Sequence, residues 1–482
     1  MTNETSGPLW TGLELMVAMH ARAHGGLPEV VTGVSIDTRS LMPGDVFFAV
    51  AGEARDGHDF VKAALAKGAA AAVVDEAHAA DMAQLGPLLV VDDVLAALVA
   101  AGRASRARSR ARVIAVTGSV GKTSTKEALR QTLMGQGRTH ASVASYNNHW
   151  GVPLTLARMP RETEFGIFEI GMSAPGEIAS LVAMVQPDVA VVTTVAPVHL
   201  EFFPSVEAIA DAKGEIFSGL APGGTAIINR DSPHFERLKQ HALASPAGRI
   251  VSFGEREDSD VKLVRAITKP DMSVVEADVM GTLVAYRLGT PGRHLVHNSL
   301  AVLAAIQAIG GDLCLAALRF ADLAPPEGRG ARSELAVQGG SFMLVDESYN
   351  ANPASMQAAL HALGQAAVTL RGRRIAVLGD MLELGAHAQK LHTELARDVV
   401  ENDVQLVFAA GPQMLNLWHA LPMERRAHYA DEPGGLETHL ASTIRAGDVV
   451  MVKGSNGTRI SRLVAALKAR FPSVHADEAI GA

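Results

Sequence analysis

The pattern that most restricts this chain begins at residue 112. "RVIAVTGS", "FGIFEIG", "VAVVTTV" and "TAIINRD" are short β-branched runs, each separated from the next by a helical stretch. Apolar strands that alternate with helices fold as a parallel sheet covered on both faces by crossover helices. Around 324–332, "APPEGRGAR" breaks the pattern with Pro, Gly and Arg. It resumes in "FMLVDES", "RRIAVLGD", "VQLVFAAG" and "DVVMVKGS", a second doubly wound unit of about 150 residues, the size of a domain. Upstream, residues 28–92 hold shorter strand-like runs, the turn "MPGD" at 42–45 and an alanine-rich helix, which reads as a small α/β domain. A helix over about 93–105 leads into "RASRARSRAR", read as a solvated helix end and linker. The expectation is an α/β chain of three domains, at 1–92, 93–327 and 328–482.

The loop after the first central strand carries the chemistry. "VIAVTGSVGKTSTKE" (113–127) is strand, glycine-rich turn, helix. Gly118 and Gly121 let the backbone wrap so that its N–H groups, with those of Ser119 and Ser124 nearby, point at phosphate oxygens. The helix N-terminus adds its dipole. Lys122 supplies a point charge, and the Thr123 hydroxyl suits Mg²⁺. The pattern predicts nucleoside triphosphate binding. Glu169, at the carboxyl end of "FGIFEIG", falls where ligands bind in such sheets and is a candidate Mg²⁺ ligand.

"SVEAIADAKGEIFSGL" (205–220) adds an anomaly. Val206, Ile209, Ala210, Ile216, Phe217 and Leu220 form an apolar stripe at helical spacing, with Lys213 in its middle. A lysine at a core edge ordinarily snorkels its head to water. A buried lysine beside a Mg²⁺ site has another use: its neutral amine takes up CO₂ and becomes an anionic carbamate ligand. His199, in the loop before this helix, is a candidate partner for a second Mg²⁺.

Composition excludes several classes. Asp and Glu number 51 against 43 Lys and Arg, a formal net charge of −8, which argues against nucleic acid as partner. Cys314 is the single cysteine, so there is no internal disulfide and no evident Cys–His nucleophile. Glu4 and Glu14 precede the first arginine, Arg22, unlike a signal peptide, and no run of about 18 apolar residues occurs. A soluble, cytoplasmic monomer is expected.

The motifs together resemble the Mur ligases of peptidoglycan synthesis. "TGSVGKTSTKE", "YNNHWGVPLTL" (146–156), "EIGMSAPGEIA" (169–179), "HLEFFPSVEAIADAKGEIF" (199–217), "LVHNSLAVLAA" (295–305), "VDESYNANPASM" (345–356) and "VLGDMLELG" (377–385) occur in that order. The resemblance covers about residues 30–460. "DESYNANPASM" and "GDMLELG" are similar to the member that joins D-alanyl-D-alanine to UDP-N-acetylmuramoyl-tripeptide. It implies an N-terminal UDP-binding domain, a central ATPase domain and a Rossmann-like C-terminal domain that closes over the site. It implies ATP, two Mg²⁺ ions at Thr123, Glu169, His199 and a carbamylated Lys213, and an acyl-phosphate route. Asn298, Arg329 and Asp346 match adenosine contacts. Thr38, Arg39, Asp56 and His58 match the segments around UDP, and Asn147 and Asn148 the substrate-facing asparagines. Tyr349, Asn350 and Asn352 match positions near the acceptor dipeptide or nucleotide. Asn456 and Arg459 stand where the family pattern is not kept. Another Mur ligase, a folylpolyglutamate-synthetase-like ligase and a protein that only binds nucleotide remain the alternatives.

Overall fold

The computed structural model describes residues 7–52, 55–143, 145–269, 272–369 and 371–474. Its strands form three sheets, of five, nine and six strands. In the largest, strand Arg112–Thr117 lies between Phe165–Glu169 and Val189–Val192, all parallel. Val113 and Ala115 face one helical layer, while Ile114 and Val116 face the other. Burial on both faces is why these runs are apolar throughout. Strand Thr139–Ala141 lies outside Phe165–Glu169 at the sheet edge. The next strands are therefore reached on opposite sides of Arg112–Thr117. That divergence opens a crevice at the carboxyl ends of the strands, and the glycine loop after Thr117 sits there.

The same sheet continues into an antiparallel meander, Val261–Thr268, Ser273–Val279 and Thr282–Leu288, which the strand–helix pattern does not anticipate. Ser273–Val279 alternates buried with more exposed residues, as a strand with one wetter face does. Met280 (φ 52°) and Gly281 (φ 90°) form the turn, both left-handed as a tight two-residue hairpin requires.

The N-terminal sheet pairs Gly33–Ser35, Asp45–Phe48, Ala71–Asp75 and Leu88–Val91 in parallel, with Arg22–His24 antiparallel at its edge. The third sheet opens with the hairpin Ala331–Val337 and Gly340–Glu347, then runs parallel through Val449–Lys453, Arg374–Gly379, Leu406–Ala410 and Arg426–Ala430. The chain is thus α/β with three parallel-sheet cores. No helix among the described residues is long and apolar enough to cross a membrane.

The arginine run is more engaged than a solvated helix end. Helix Val94–Arg108 carries Arg106, whose Nε donates to Val185 O (2.8 Å) and Nη2 to Gln186 O (2.9 Å). The Arg108 guanidinium lies 3.4 Å over the Trp10 ring and donates to Leu9 O at 2.7 Å. Trp10 Nε1 in turn donates to Ala157 O at 2.8 Å. A planar guanidinium can stack on an indole and reach a carbonyl at once, so Arg108 and Trp10 staple the N-terminal domain to the central one, while Arg106 ties its helix to Val185 and Gln186 within the central domain.

Candidate active site

The phosphate loop is held open by its glycines. Gly118 and Gly121 have φ of 151° and 88°. A Cβ on Gly118 would fall 1.9 Å from Thr193 Oγ1, and one on Gly121 2.8 Å from Asn298 Oδ1. Side chains brace the loop from the neighbouring strand. Ser119 Oγ donates to Ala196 O at 3.0 Å and accepts its N–H at 2.9 Å, and Thr193 Oγ1 donates to Val120 O at 2.6 Å. Helix Lys122–Met134 begins at Gly121 with no side-chain cap. Its first N–H groups are therefore left for a ligand, the usual basis of anion binding at a helix N-terminus. Lys122 Nζ donates to Gly118 O at 2.7 Å. Burial lowers its pKa, the Glu169 charge opposes that shift, and Arg329 adds to it.

Gly118→Ala is expected to weaken nucleotide binding at least tenfold, about 1.4 kcal/mol, because the loop must leave Thr193. Calorimetric titration with ADP checks this, with melting scans reporting the fold.

Glu169 is 1% exposed and joins two segments. Its Oε2 accepts from Thr123 Oγ1 and its Oε1 from Asn147 Nδ2, both at 2.7 Å. The Asn147 carbonyl holds Gly171 N–H at 2.8 Å. A hydroxyl and a carboxylate meeting beside a phosphate loop form a hard oxygen donor set. This set fits Mg²⁺, which takes few protein ligands and keeps its waters.

The Lys213 stripe is two elements rather than one helix. Helix Val206–Gly214 tightens into a 3₁₀ turn at Glu215–Gly219. Glu215 is drawn to helix Glu177–Val185, where it accepts from Gly176 N–H (2.8 Å) and Ala179 N–H (3.1 Å). The stripe nevertheless stays inward. Lys213 is 2% exposed, so it does not snorkel. Among the described residues no carboxylate pairs with it. Burial, and after it the Lys122 charge, push its pKa well below the lysine range. An unpaired, buried amine beside a phosphate loop fits a group that becomes an anion. His199 has φ 54°, and its Nδ1 lies 2.5 Å from Glu383 Oε2. That hydrogen bond holds the Glu383 carboxyl below its usual range.

These elements wall a cavity of about 1010 Å³ between the central and C-terminal sheets. Ser119, Gly121, Lys122, Ser124, Asn147, Asn148, Glu169, His199, Asn298, Arg329, Tyr349, Asn350 and Asn352 all line it. Gly118, Thr123 and Lys213 are buried and do not. Several lining residues also hold their own loops. Asn148 Oδ1 accepts Gly151 N–H at 2.9 Å, and Asn352 caps helix Pro353–Gln365 in a reciprocal box with Ser355. The Arg329 guanidinium stacks 4.0 Å over Tyr349, and its Nη2 donates to Ser145 Oγ at 3.3 Å. Asp346 is turned away: it is 3% exposed and accepts from Ser348 N and Oγ, while its neighbour Glu347 lines the cavity.

Lys453 and His294, which no motif in the sequence singles out, also line the cavity. Lys453 is 3% exposed and donates to Asn350 O (3.0 Å) and Glu347 Oε2 (3.3 Å). Glu347 and Lys453 are register partners at the carboxyl ends of adjacent parallel strands. The same rule that singled out Glu169 could have found both. Asn456 lines the cavity too, whereas Arg459 is exposed and does not. A smaller cleft adjoins Ser124, Asn298 and Arg329, walled by Leu288, Leu295, Leu323 and Pro325.

The N-terminal candidates lie apart from this cavity. Asp56 Oδ1 accepts His58 N–H at 2.9 Å and lies 2.6 Å from its Nδ1. His58 Nε2 accepts Asp75 N–H at 3.3 Å, and its ring stacks 3.9 Å from that of His78. With both nitrogens engaged and 4% exposure, His58 organises its loop. Arg39 is exposed and paired with Asp37, and the Thr38 carbonyl accepts from Lys67 Nζ at 2.7 Å. In "GEARDGHDF", Glu53 and Ala54 lie outside the described residues.

Comparison with known proteins adds the following. Residues 30–119 match the Mur ligase family catalytic domain, 116–306 the Mur ligase middle domain, and 331–456 the Mur ligase glutamate ligase domain. UDP-N-acetylmuramoyl-tripeptide–D-alanyl-D-alanine ligase of Rickettsia prowazekii is 32% identical over 89% of this chain and 94% of its own length. A crystal structure of MurF from Acinetobacter baumannii superposes with a TM-score of 0.82 at 28% identity, over 95% of this chain and 99% of that one. MurF ligase from Thermotoga maritima, solved in complex with ADP, gives a TM-score of 0.73 at 26% identity, covering 91% and 97%.

Proposed function

The chain belongs to the Mur ligase family, and from that premise we propose that it joins D-alanyl-D-alanine to UDP-N-acetylmuramoyl-tripeptide at the expense of ATP, making the UDP-pentapeptide precursor of peptidoglycan. The observation that carries this is the single cavity in which the phosphate loop and Glu169 face Glu347, Tyr349 and Lys453 of the C-terminal sheet. One wall is built for a triphosphate and the other presents polar groups for an acceptor.

The reaction moves the γ-phosphoryl group of ATP to the tripeptide carboxylate, giving an acyl phosphate. The dipeptide amine then attacks the acyl carbon, loses a proton, and phosphate leaves. Lys122 and the loop N–H groups bind the phosphates and offset charge as two anions approach. Thr123 and Glu169 would hold one Mg²⁺, and a carbamylated Lys213 would hold a second with His199 beside it. Bound there, the metal ions supply Lewis-acid stabilisation of phosphoryl oxygens. Asn298 and Arg329 border the apolar cleft of Leu295, Leu323 and Pro325, a place for adenine. Asp346 acts through the turn that it holds for Ser348. Asn147 positions Glu169 and, with Asn148, Tyr349, Asn350 and Asn352, faces the peptide ends. Thr38 and Arg39 are the N-terminal surface groups left to meet UDP. Asp56 and His58 shape the loop beside them.

An acyl phosphate hydrolyses readily, so water must be excluded. Closure of the C-terminal domain about residues 325–330 would do this, and the Arg329–Tyr349 stack ties that hinge to the cavity wall. The protein works as a cytoplasmic monomer in this reading.

Phosphate release from ATP tests it, with Mg²⁺ and UDP-N-acetylmuramoyl-tripeptide, with and without D-alanyl-D-alanine. Release that needs both, with a UDP-pentapeptide by mass spectrometry, is expected. Release with another amine instead would leave the family and change the acceptor. ATP binding without release under any pairing would favour a nucleotide-binding role alone.

A further inference from the structure

The segment "GDMLELG" follows strand Arg374–Gly379 of the third sheet, and its far end touches the central domain. Three contacts meet there. Glu383 Oε2 lies 2.5 Å from His199 Nδ1. The Glu383 carbonyl accepts Glu201 N–H at 3.2 Å. Gly385 stands so near that a Cβ on it would come within 3.3 Å of Glu201 Cα. Between these, Leu200 packs against the hydrophobic cores of both domains. His199 and Glu383 are both non-glycine residues at positive φ, 54° and 61°. Such conformations persist only where surroundings over-determine them, and they cluster at functional sites.

We propose that Glu383 is a positioning residue for His199, fixing the imidazole as its Nδ1–H tautomer through a hydrogen bond that exists only while the C-terminal domain is docked. A carboxylate can only accept, so the ring nitrogen facing it carries the proton. In the neutral ring, Nε2 is then left as the acceptor. A hard Mg²⁺ keeps several waters, and an acceptor nitrogen suits the hydrogens of such a water. A carboxylate behind a histidine is the usual device for orienting a ring at a metal site. Here the carboxylate comes from the other domain. If that domain swings away, the ring is released to turn and to exchange tautomers, so docking and the metal-side histidine are coupled. This deepens the reading of His199 given above and rests on it for the metal alone.

The test uses the full-length enzyme and its Glu383→Ala and Glu383→Gln variants. Hydrogen–deuterium exchange over residues 197–204 reports docking. ¹⁵N histidine spectra, with the His199 signal identified by its loss in His199→Ala, report the tautomer. The Mg²⁺ concentration for half-maximal turnover reports the site. Glu383→Ala is expected to speed exchange in that segment, mix the tautomers and raise the Mg²⁺ requirement about 10–100-fold, with KM for the dipeptide little changed. Glu383→Gln keeps an acceptor oxygen and should retain the wild-type tautomer, which a merely structural role for the side chain would not require. Wild-type exchange and a wild-type Nδ1–H signal in Glu383→Ala would overturn the proposal. If His199→Ala leaves the Mg²⁺ requirement unchanged while Glu383→Ala still alters tautomer and exchange, positioning stands and the metal role of His199 falls. Product formation by the wild type judges the ligase reading separately.

Discussion

Lys213→Met is expected to yield a protein that is more stable than the wild type and nearly inactive. Both effects follow from one fact. Lys213 is 2% exposed, close enough to Lys122 for their charges to repel, and without a carboxylate partner. Keeping an amine there costs free energy, because its charged form is stripped of water with nothing to compensate. Methionine has similar length and no charge, so the core should accept it with a gain of about 1–3 kcal/mol. The pH dependence has a definite sign. The folded-state pKa of Lys213 is depressed, so the folded protein binds fewer protons than the unfolded chain. The penalty is absent above the ordinary lysine range, grows as pH falls through it, and is complete below the depressed folded value. The stability advantage of Lys213→Met should therefore widen as pH is lowered from the alkaline side. Denaturant titrations at several pH values in CO₂-depleted buffer, where the wild type keeps the free amine, measure this. Turnover should drop about 10²–10³-fold if Lys213 serves as the carbamate proposed above. The carbamate forms when the neutral amine attacks CO₂ and releases a proton. Wild-type turnover should thus fall in CO₂-depleted buffer and return with bicarbonate, whereas the residual turnover of the variant should ignore both. A wild-type enzyme indifferent to CO₂ would remove the carbamate, even if Lys213→Met were inactive.

Much of this was legible in the residues because the physics is local. A strand, Gly118, Gly121, Lys122 and a helix lie within 15 residues, and only one arrangement of such a segment makes sense. Glu169 was found because strand ends are where ligands collect. The apolar stripe set Lys213 on the inward side, where a snorkelling head is the ordinary expectation, and it could not show that the helix tightens at Glu215, which depends on contacts 39 and 36 positions away. The failures are long-range. Lys453 and Glu347 meet only because two strands separated by about 100 residues are neighbours in register. The contact between Glu383 and His199 spans 184 positions. Asp346 and Glu347 are adjacent in sequence, and strand alternation sends one side chain into the core and the other to the cavity, a choice that one residue of register decides. The bonds that hold the His58 ring, to Asp56 and the Asp75 backbone, lie equally beyond what a motif shows. The antiparallel meander was missed because alternation over seven residues is a weaker signal than an apolar run.

Glu169→Gln is expected to lower turnover about 10²–10³-fold while the protein still folds, and the reason lies in donors and acceptors. The carboxylate accepts on both oxygens, from the Thr123 hydroxyl and from the Asn147 amide, each at 2.7 Å. Glutamine has the same size but one acceptor and one NH₂ group. If its oxygen faces Thr123, its NH₂ opposes the NH₂ of Asn147. If it is turned the other way, it presents two hydrogens to Thr123, whose hydroxyl must then accept. Either choice unsettles the phosphate loop or the asparagine segment, and both remove the negative charge that Mg²⁺ needs. The cost to the fold should stay within about 1–3 kcal/mol, the range for one mispaired buried polar group, and melting scans can confirm it. The functional loss should be specific. Nucleotide affinity without metal should change little, because the loop N–H groups and Lys122 still meet the phosphates. The gain in affinity when Mg²⁺ is added should largely vanish. Asn147→Asp offers the opposite perturbation, replacing an amide donor by a second carboxylate against Glu169 in a buried site, and its turnover should fall as well. Calorimetric titrations of ADP with and without Mg²⁺ separate these cases. Equal losses with and without the metal in Glu169→Gln would mean that this carboxylate shapes the loop and holds no ion.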